Sequence, residues 1–284
     1  MNVIVTGGAG FVGTNLVVRL KGLGYRIIVI DNFTTGQRAN IIEGIQYVEE
    51  DLKLIEDFGQ WGKIDIVFHL AATARIGPSF NAPADYFKNN AVATLNVVEW
   101  CSQNSVPLIF SGSSSKWSGS LKNPYTFSKE VGEQIIALYR KHFNLNCAIA
   151  RFYNVYGPYQ LLDGGYTTLI GRWLNNLRTG QPFVIFGDGE QRRDFTHVDD
   201  IIDALVLMVE QRAWGFDFEL GRGRNISVNE VAALFGVQPE YAEGKKGEAR
   251  ITLNEDNKAL EILGWSASRE LADYLKIELG NERS

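Results

Sequence analysis

The chain has 284 residues, 45% hydrophobic and 21% charged, which suits one large α/β domain or a domain with a smaller companion. A net charge of −5 lacks the basic face of a nucleic-acid binder, so no nucleic-acid partner is expected. No apolar run reaches a membrane span, and the three histidines, His69, His142 and His197, lack metal-ligand spacing, so neither membrane nor metal is expected.

The chain enters directly on "NVIVT" (2–6), a continuous apolar run of the kind found in strands buried on both faces. No leader-like segment stands before it. Cys101 and Cys147 sit inside apolar runs and read as buried thiols in a reducing compartment. A cytoplasmic protein is the expectation. Directly after the strand, Gly7, Gly10 and Gly13 form a G-x-x-G-x-x-G pattern that opens a helix over "FVGTNLVVRLKGLG". Such glycines let the backbone turn tightly and approach a pyrophosphate, while the helix N-terminus offers N–H groups and a positive dipole end. Gly24 fits the position just past the helix end.

The second strand, "RIIVI" (26–30), ends at Asp31. A carboxylate there accepts hydrogen bonds from adenosine ribose hydroxyls and repels a 2′-phosphate, which favours NAD over NADP. Arg38, several residues on, leaves that exclusion incomplete. Asp51 in "EEDL" reads either as a contact to the adenine edge or as a solvated acid. Further strand-like runs are "IDIVFH" (64–69), "VPLIFS" (106–111) and "NCAIAR" (146–151), with helical patterns over 82–104 and 125–143 between and after them. Strands alternating with helices through short links imply an α/β doubly wound parallel sheet.

After residue 151 the pattern loosens. "GDGEQRRDFTHVDD" is polar and glycine-rich, and shorter elements follow. The expected division is a dinucleotide-binding domain over 1–158, with 193–215 returning to it. A smaller substrate-binding lobe takes 159–192 and 216–284 and lies over the sheet's C-terminal edge. Asp199 and Asp200 read as caps of the helix beginning "IIDALVLMV", and His197 as a structural neighbour.

The chemical end is "SSSKWSGSLKNPYTFSK" (113–129). Tyr125 and Lys129 are four apart, so a helix puts both on one face. A phenol with an ordinary pKa of about 10 is a poor base near neutrality unless a nearby positive charge stabilises its phenolate. An ammonium does this, as does an oxidised nicotinamide. A serine hydroxyl at the neighbouring strand end can orient the same substrate oxygen.

"TGGAGFVG", "VIDNFTTG", "HLAA" (69–72), "NNAVATLN" (89–96), "YTFSK" and "RFYNVYGP" (151–158) together resemble the extended short-chain dehydrogenase/reductase family. More narrowly the chain resembles its NAD-dependent nucleotide-sugar epimerase/dehydratase branch. "GDGEQRRDFTHVDDI", "RGRNISVNEVA" and "KKGEARITLNEDNKALEILGW" (245–265) extend the likeness nearly to the C-terminus. The resemblance implies a Rossmann domain with bound NAD. Gly7, Gly10, Phe11, Val12 and Gly13 would line the pyrophosphate. Asp31 and Asn32 would meet the ribose, and Asp51 and Leu52 the adenine. Leu70, Ala71 and Ala72 would lie along the cofactor, with Asn90 supporting it and Phe152 near the nicotinamide. Ser113, Tyr125 and Lys129 align with the family's catalytic hydroxyl, base and activator. Asn154, Arg193 and Arg250 align with substrate-binding positions, the arginines suiting a diphosphate.

The implied activity is epimerisation of a nucleotide sugar, with a UDP-sugar 4-epimerase as the leading form. A reductase, dehydrogenase or decarboxylase of the same family and a non-catalytic NAD sensor are the alternatives. Relatives form homodimers through a four-helix bundle, which is implied for this chain too. Departures from the family concentrate in one loop. Ser114 and Ser115 stand where dehydratases carry acids, so 4,6-dehydration is not expected. Lys116, Trp117 and Ser118 replace V-Y-G, and the Ser113–Tyr125 segment is shortened. Ala93 replaces a glycine, and "SAS" follows "LGW" where a proline is usual. Trp117 reads equally as a stacking platform for sugar or base and as a cover for apolar surface. Arg75 reads equally as a phosphate contact and as a solvated loop residue.

Overall fold

The apolar runs become the centre of a sheet. The computed structural model describes residues 1–244, 247 and 249–283. Its main sheet contains β1 (Asn2–Thr6), β2 (Arg26–Ile30), β3 (Gln46–Val48), β4 (Ile66–His69), β5 (Leu108–Ser113), β6 (Cys147–Phe152) and β7 (Asp217–Leu220). Neighbours pair in the order β3-β2-β1-β4-β5-β6-β7, and every pairing is parallel. The winding reverses between β1 and β4, and ligands bind outside the carboxyl ends of strands at such a switch point. The α/β doubly wound sheet expected from the sequence is what forms.

Two edge strands carry no clear sequence signal. β3 is only "QYV" and β7 is "DFEL", too short or too polar for a buried run. β7 pairs with β6 from Asp217↔Ile149 to Leu220↔Phe152 and so extends the main sheet.

Helices cover both faces. On one lie α1 (Phe11–Gly22), Val198–Glu210 and Lys258–Leu263, packing Leu16, Leu20, Ile201, Leu205, Leu263 and Trp265 against Val3, Val5 and Val29. On the other lie α2 (Ala93–Gln103) and α3 (Pro124–His142), with Val97, Val98, Cys101 and Ile136 against Ile4, Ile28 and Phe110. A separate core gathers Trp173, Ile185, Phe235, Leu271 and Leu275 from the C-terminal half.

Two helix starts and one π turn shape the helices around the sheet. Asn123 caps α3 by accepting from the Thr126 N–H at 2.8 Å, and Pro124 supplies a preset first turn. This fixes where Tyr125 and Lys129 begin. The helical run expected over 82–104 is continuous but contains a π turn at Lys88–Val92, which rotates Asn90 inward. The helix Val198–Glu210 is capped by His197, whose Nδ1 accepts from the Asp199 N–H at 3.1 Å. Asp199 and Asp200 are therefore not its caps. Asp200 instead accepts from the backbone N–H groups of Ser268 and Arg269 and pairs with the Arg269 guanidinium at 2.6 Å. No helix among the described residues is long and apolar enough to cross a membrane.

Candidate active site

A cavity of about 700 Å³ runs along the carboxyl ends of the strands, from Asp31 past Tyr125 to Arg193 and Phe186. At one end the glycines make a cradle. Gly7 has φ +71°, and a Cβ there would lie 2.8 Å from the Ala71 backbone. A Cβ on Gly13 would lie 2.1 Å from the Gly7 oxygen, so only glycine lets the turn close. Gly10 caps α1 without a side chain, leaving the first-turn N–H groups of Phe11, Val12 and Gly13 uncapped by any side chain where they line the cavity. That is the arrangement an anion needs.

Asp31 ends β2, accepting from the Ala9 N–H at 3.0 Å and the Phe33 N–H at 2.9 Å. Burial pushes its carboxyl above the ordinary value, opposed by those two bonds. Asn32 lines the same wall, its side chain accepting from the Thr34 N–H. Arg38 turns away. It pairs with Glu49 at 2.5 Å and lies over the Phe33 ring, outside the residues that line the cavity. Asp51 lines the cavity and is bound by Lys53 Nζ at 2.7 Å. Burial pushes Asp51 up, but the Lys53 bonds and charge outweigh it and leave the carboxyl low. Leu52, Leu70, Ala71 and Ala72 complete this wall. Asn90 is buried behind it. Its side chain accepts from the Thr73 N–H at 2.7 Å and donates to the Thr73 oxygen and Ser128 Oγ, joining the loop after β4 to α3.

At the centre, Ser113 at the tip of β5 accepts from the Tyr125 hydroxyl at 3.2 Å and contacts Ser115 Oγ at 2.9 Å. Lys129 is 4% exposed, with its ammonium 4.3 Å from the Phe110 ring centre. Burial lowers its pKa to about 8, against the pull of Glu133. Burial raises the Tyr125 phenol. Ser113 opposes this through its hydrogen bond and Arg75 through its charge. Arg75 shares the cavity wall and is anchored by Nε donating to the Tyr166 oxygen at 2.8 Å. Half-buried on that wall, it is not the solvated loop residue that one reading of its position allowed. His69, between Thr6 and Thr94, is pulled down to about 3 by burial and the Lys129 charge, and so is neutral.

Phe152, paired with Ser113 at the end of β6, and Asn154 and Arg193 farther along also line the cavity. Asn154 spends its amide on the Asp194 oxygen at 3.0 Å and Thr252 Oγ1 at 2.8 Å. Arg250 does not line the cavity; its guanidinium pairs in bidentate fashion with the exposed Asp188 carboxylate, at 2.7 and 2.9 Å. Trp117 also lies outside the cavity wall, 63% exposed, its indole turned toward Glu219. Of the motif beginning at 245, Lys245, Lys246 and Glu248 lie outside the described residues. Tyr166, Arg172 and Phe186 line the cavity without any sequence motif that singles them out, and Gln191 joins them from within "GDGEQRRDFTHVDDI".

The family model "NAD dependent epimerase/dehydratase family" matches residues 3–221. The chain belongs to that family. A UDP-glucuronic acid decarboxylase of Arabidopsis thaliana is 29% identical, over 98% of this chain and 67% of its own length. A UDP-glucose 4-epimerase of Mycolicibacterium smegmatis is 28% identical over 96% of each chain. The crystal structure of a UDP-glucose 4-epimerase from Thermotoga maritima with UDP-glucose superposes with a TM-score of 0.93 at 30% identity, covering 100% of this chain and 99% of that one. The protein is thus an enzyme of an NAD-dependent family, and NAD is the cofactor that the glycine cradle and Asp31 fit.

Proposed function

We propose that the protein epimerises a UDP-hexose at C4 by transient oxidation to a keto-sugar. The observation that supports this best is the Ser113–Tyr125 hydrogen bond with Lys129 at the centre of a cavity continuous with the dinucleotide cradle. Among the described residues, the acids lining that cavity are Asp31, Glu50 and Asp51, all at the adenine end. Among the described residues no acid stands by the sugar end to expel a hydroxyl, which favours oxidation and return over dehydration.

Bound NAD supplies the hydride acceptor and later the hydride donor. Tyr125, as phenolate, takes the proton from the sugar C4 hydroxyl. Ser113 donates a hydrogen bond to the same oxygen and holds it in line. Lys129 keeps a positive charge close to the developing anion. After the keto-sugar turns over, Tyr125 gives the proton back to that oxygen. Arg193 and Asn154 edge the part of the cavity assigned to the nucleotide diphosphate. In the same reading the sheet and α1 form the dinucleotide half, and the core around Trp173 forms the nucleotide-sugar half. The protein would pair as a homodimer through α2 and α3, whose neighbourhood exposes Val92, Leu95 and Leu138.

Decarboxylation of a UDP-uronic acid shares the first oxidation, because a 4-keto uronate is a β-keto acid and loses its carboxyl without an added acid. NMR of the purified protein with NAD and a panel of UDP-, GDP-, dTDP- and CDP-sugars separates the outcomes. A new C4 epimer of a UDP-sugar without net NADH supports the proposal. Release of carbon dioxide, or stoichiometric NADH, replaces it.

A further inference from the structure

The loop that departs most from the family's sequence pattern is fastened by its own side chains. Residues 114–124 alone connect Ser113 to Tyr125. They fold as two tight turns, Ser114–Ser118 and Ser120–Lys122, about Gly119 at φ +105°. Ser114, Ser115 and Ser118 face the cavity, while the two side chains between them leave it. Lys116 Nζ reaches Glu133 Oε2 at 2.8 Å, and Trp117 Nε1 donates to Glu219 Oε2 at 3.0 Å.

Both acceptors belong to one buried cluster. Glu133 on α3 and Glu219 on β7 bind the same Arg151 guanidinium on β6. Its Nε and Nη2 donate to Glu133 at 2.9 and 2.8 Å, and its Nη1 to Glu219 at 2.8 Å. Asp217 takes a further Nη2 bond at 2.7 Å and also binds Arg140, and the Tyr153 hydroxyl donates to Glu219. Arg140, Arg151 and Lys116 thus balance Asp217, Glu133 and Glu219, charge for charge. Removing Lys116 leaves an unmatched carboxylate in a buried place, which such clusters tolerate poorly. The cluster ties β6, β7 and α3 together, so it is a fixed point. The only loop side chains that use it flank the hydroxyls facing the cavity.

We propose that Lys116 and Trp117 are positioning residues that latch the shortened loop to the Arg151 cluster and so hold Ser113 and Ser115 in register with Tyr125. The shortened loop thereby takes its rigidity from a buried ion-pair cluster. The inference rests on the reading that Ser113 and Tyr125 carry the chemistry.

The test compares Trp117→Phe, Lys116→Met and Lys116→Arg with the parent, on the UDP-sugar the parent turns over. Trp117→Phe keeps an aromatic ring at an exposed position while losing the N–H and the second ring of the indole, so it leaves the fold intact even if Lys116→Met unfolds. The expected result is a kcat lowered at least about tenfold in Trp117→Phe and Lys116→Met, with KM and NAD affinity within about twofold of the parent. The rising limb of the pH profile moves to higher pH, because the Ser113 bond that lowers the phenol is weakened. Lys116→Arg restores most of the rate, since it keeps the ion pair. Hydrogen exchange of the Ser113–Ser118 amides quickens in the two damaging variants. Parental kcat and pH limb in Trp117→Phe overturn the latch, as does unchanged exchange. A parent inactive on every sugar strikes the functional reading instead, and exchange still decides the latch.

Discussion

Replacing Lys129 by Met stabilises the fold while removing its activity. The ammonium is buried, and its pKa falls from 10.5 to about 8. Each pKa unit corresponds to about 1.4 kcal/mol, so the charged form is destabilised by about 3 kcal/mol in the folded protein. The sign follows from proton counting. Between pH of about 8 and 10.5 the unfolded chain binds the Lys129 proton and the folded chain does not, so stability rises with pH across that window. Below about 8 both states are protonated and the full penalty is present. Met removes the charge and keeps most of the volume. It forfeits the cation contact with the Phe110 ring, about 0.5–2 kcal/mol. The net gain at neutral pH is about 1–3 kcal/mol, which raises Tm by a few degrees at about 2–4 °C per kcal/mol. Calorimetric scans of nucleotide-free parent and Lys129→Met at about pH 7 and about pH 10 measure it. The variant should melt higher near neutrality, and the gap should narrow toward the alkaline end. A variant that melts lower than the parent at neutral pH, or a gap that does not change with pH, refutes the reasoning that this ammonium is held at a cost.

Tyr125→Phe should lower kcat by about 10²–10⁴-fold, the span of a lost general base, with NAD binding kept. Its stability should change by about 1 kcal/mol or less, because Ser113 retains Ser115 as a partner; turnover within threefold of the parent would refute the assignment. Gly13→Ala places a methyl 2.1 Å from the Gly7 oxygen, and backbone must move. Fluorescence titration should show weakened NAD binding, with a stability loss of about 1–3 kcal/mol. Arg75→Met removes the cation that opposes burial at Tyr125, so the phenol rises further and the ascending limb of the pH–rate profile moves to higher pH. An unmoved limb would mean that Arg75 does not act on the phenol.

The cofactor end was the most legible part of this chain. Gly7, Gly10 and Gly13 act through backbone geometry within one turn, and Asp31 sits at the end of the next strand, so local spacing carries their meaning. Tyr125 and Lys129 were legible for the same reason, four residues apart on one helix. The inner strands could be read because burial on both faces demands continuous apolar runs. Edge strands face fewer neighbours and need no such run, so "QYV" and "DFEL" gave no signal. Tertiary structure decided whatever depends on residues distant in sequence. It turned Trp117 out of the cavity toward Glu219, gave Arg250 to Asp188, brought Arg75 beside Tyr125, and made His197 the helix cap. Charged and amphipathic side chains take the nearest opposite charge or free hydrogen-bonding group in space. Which group is nearest is set by how the sheet, α3 and the loops pack, not by any spacing along the chain.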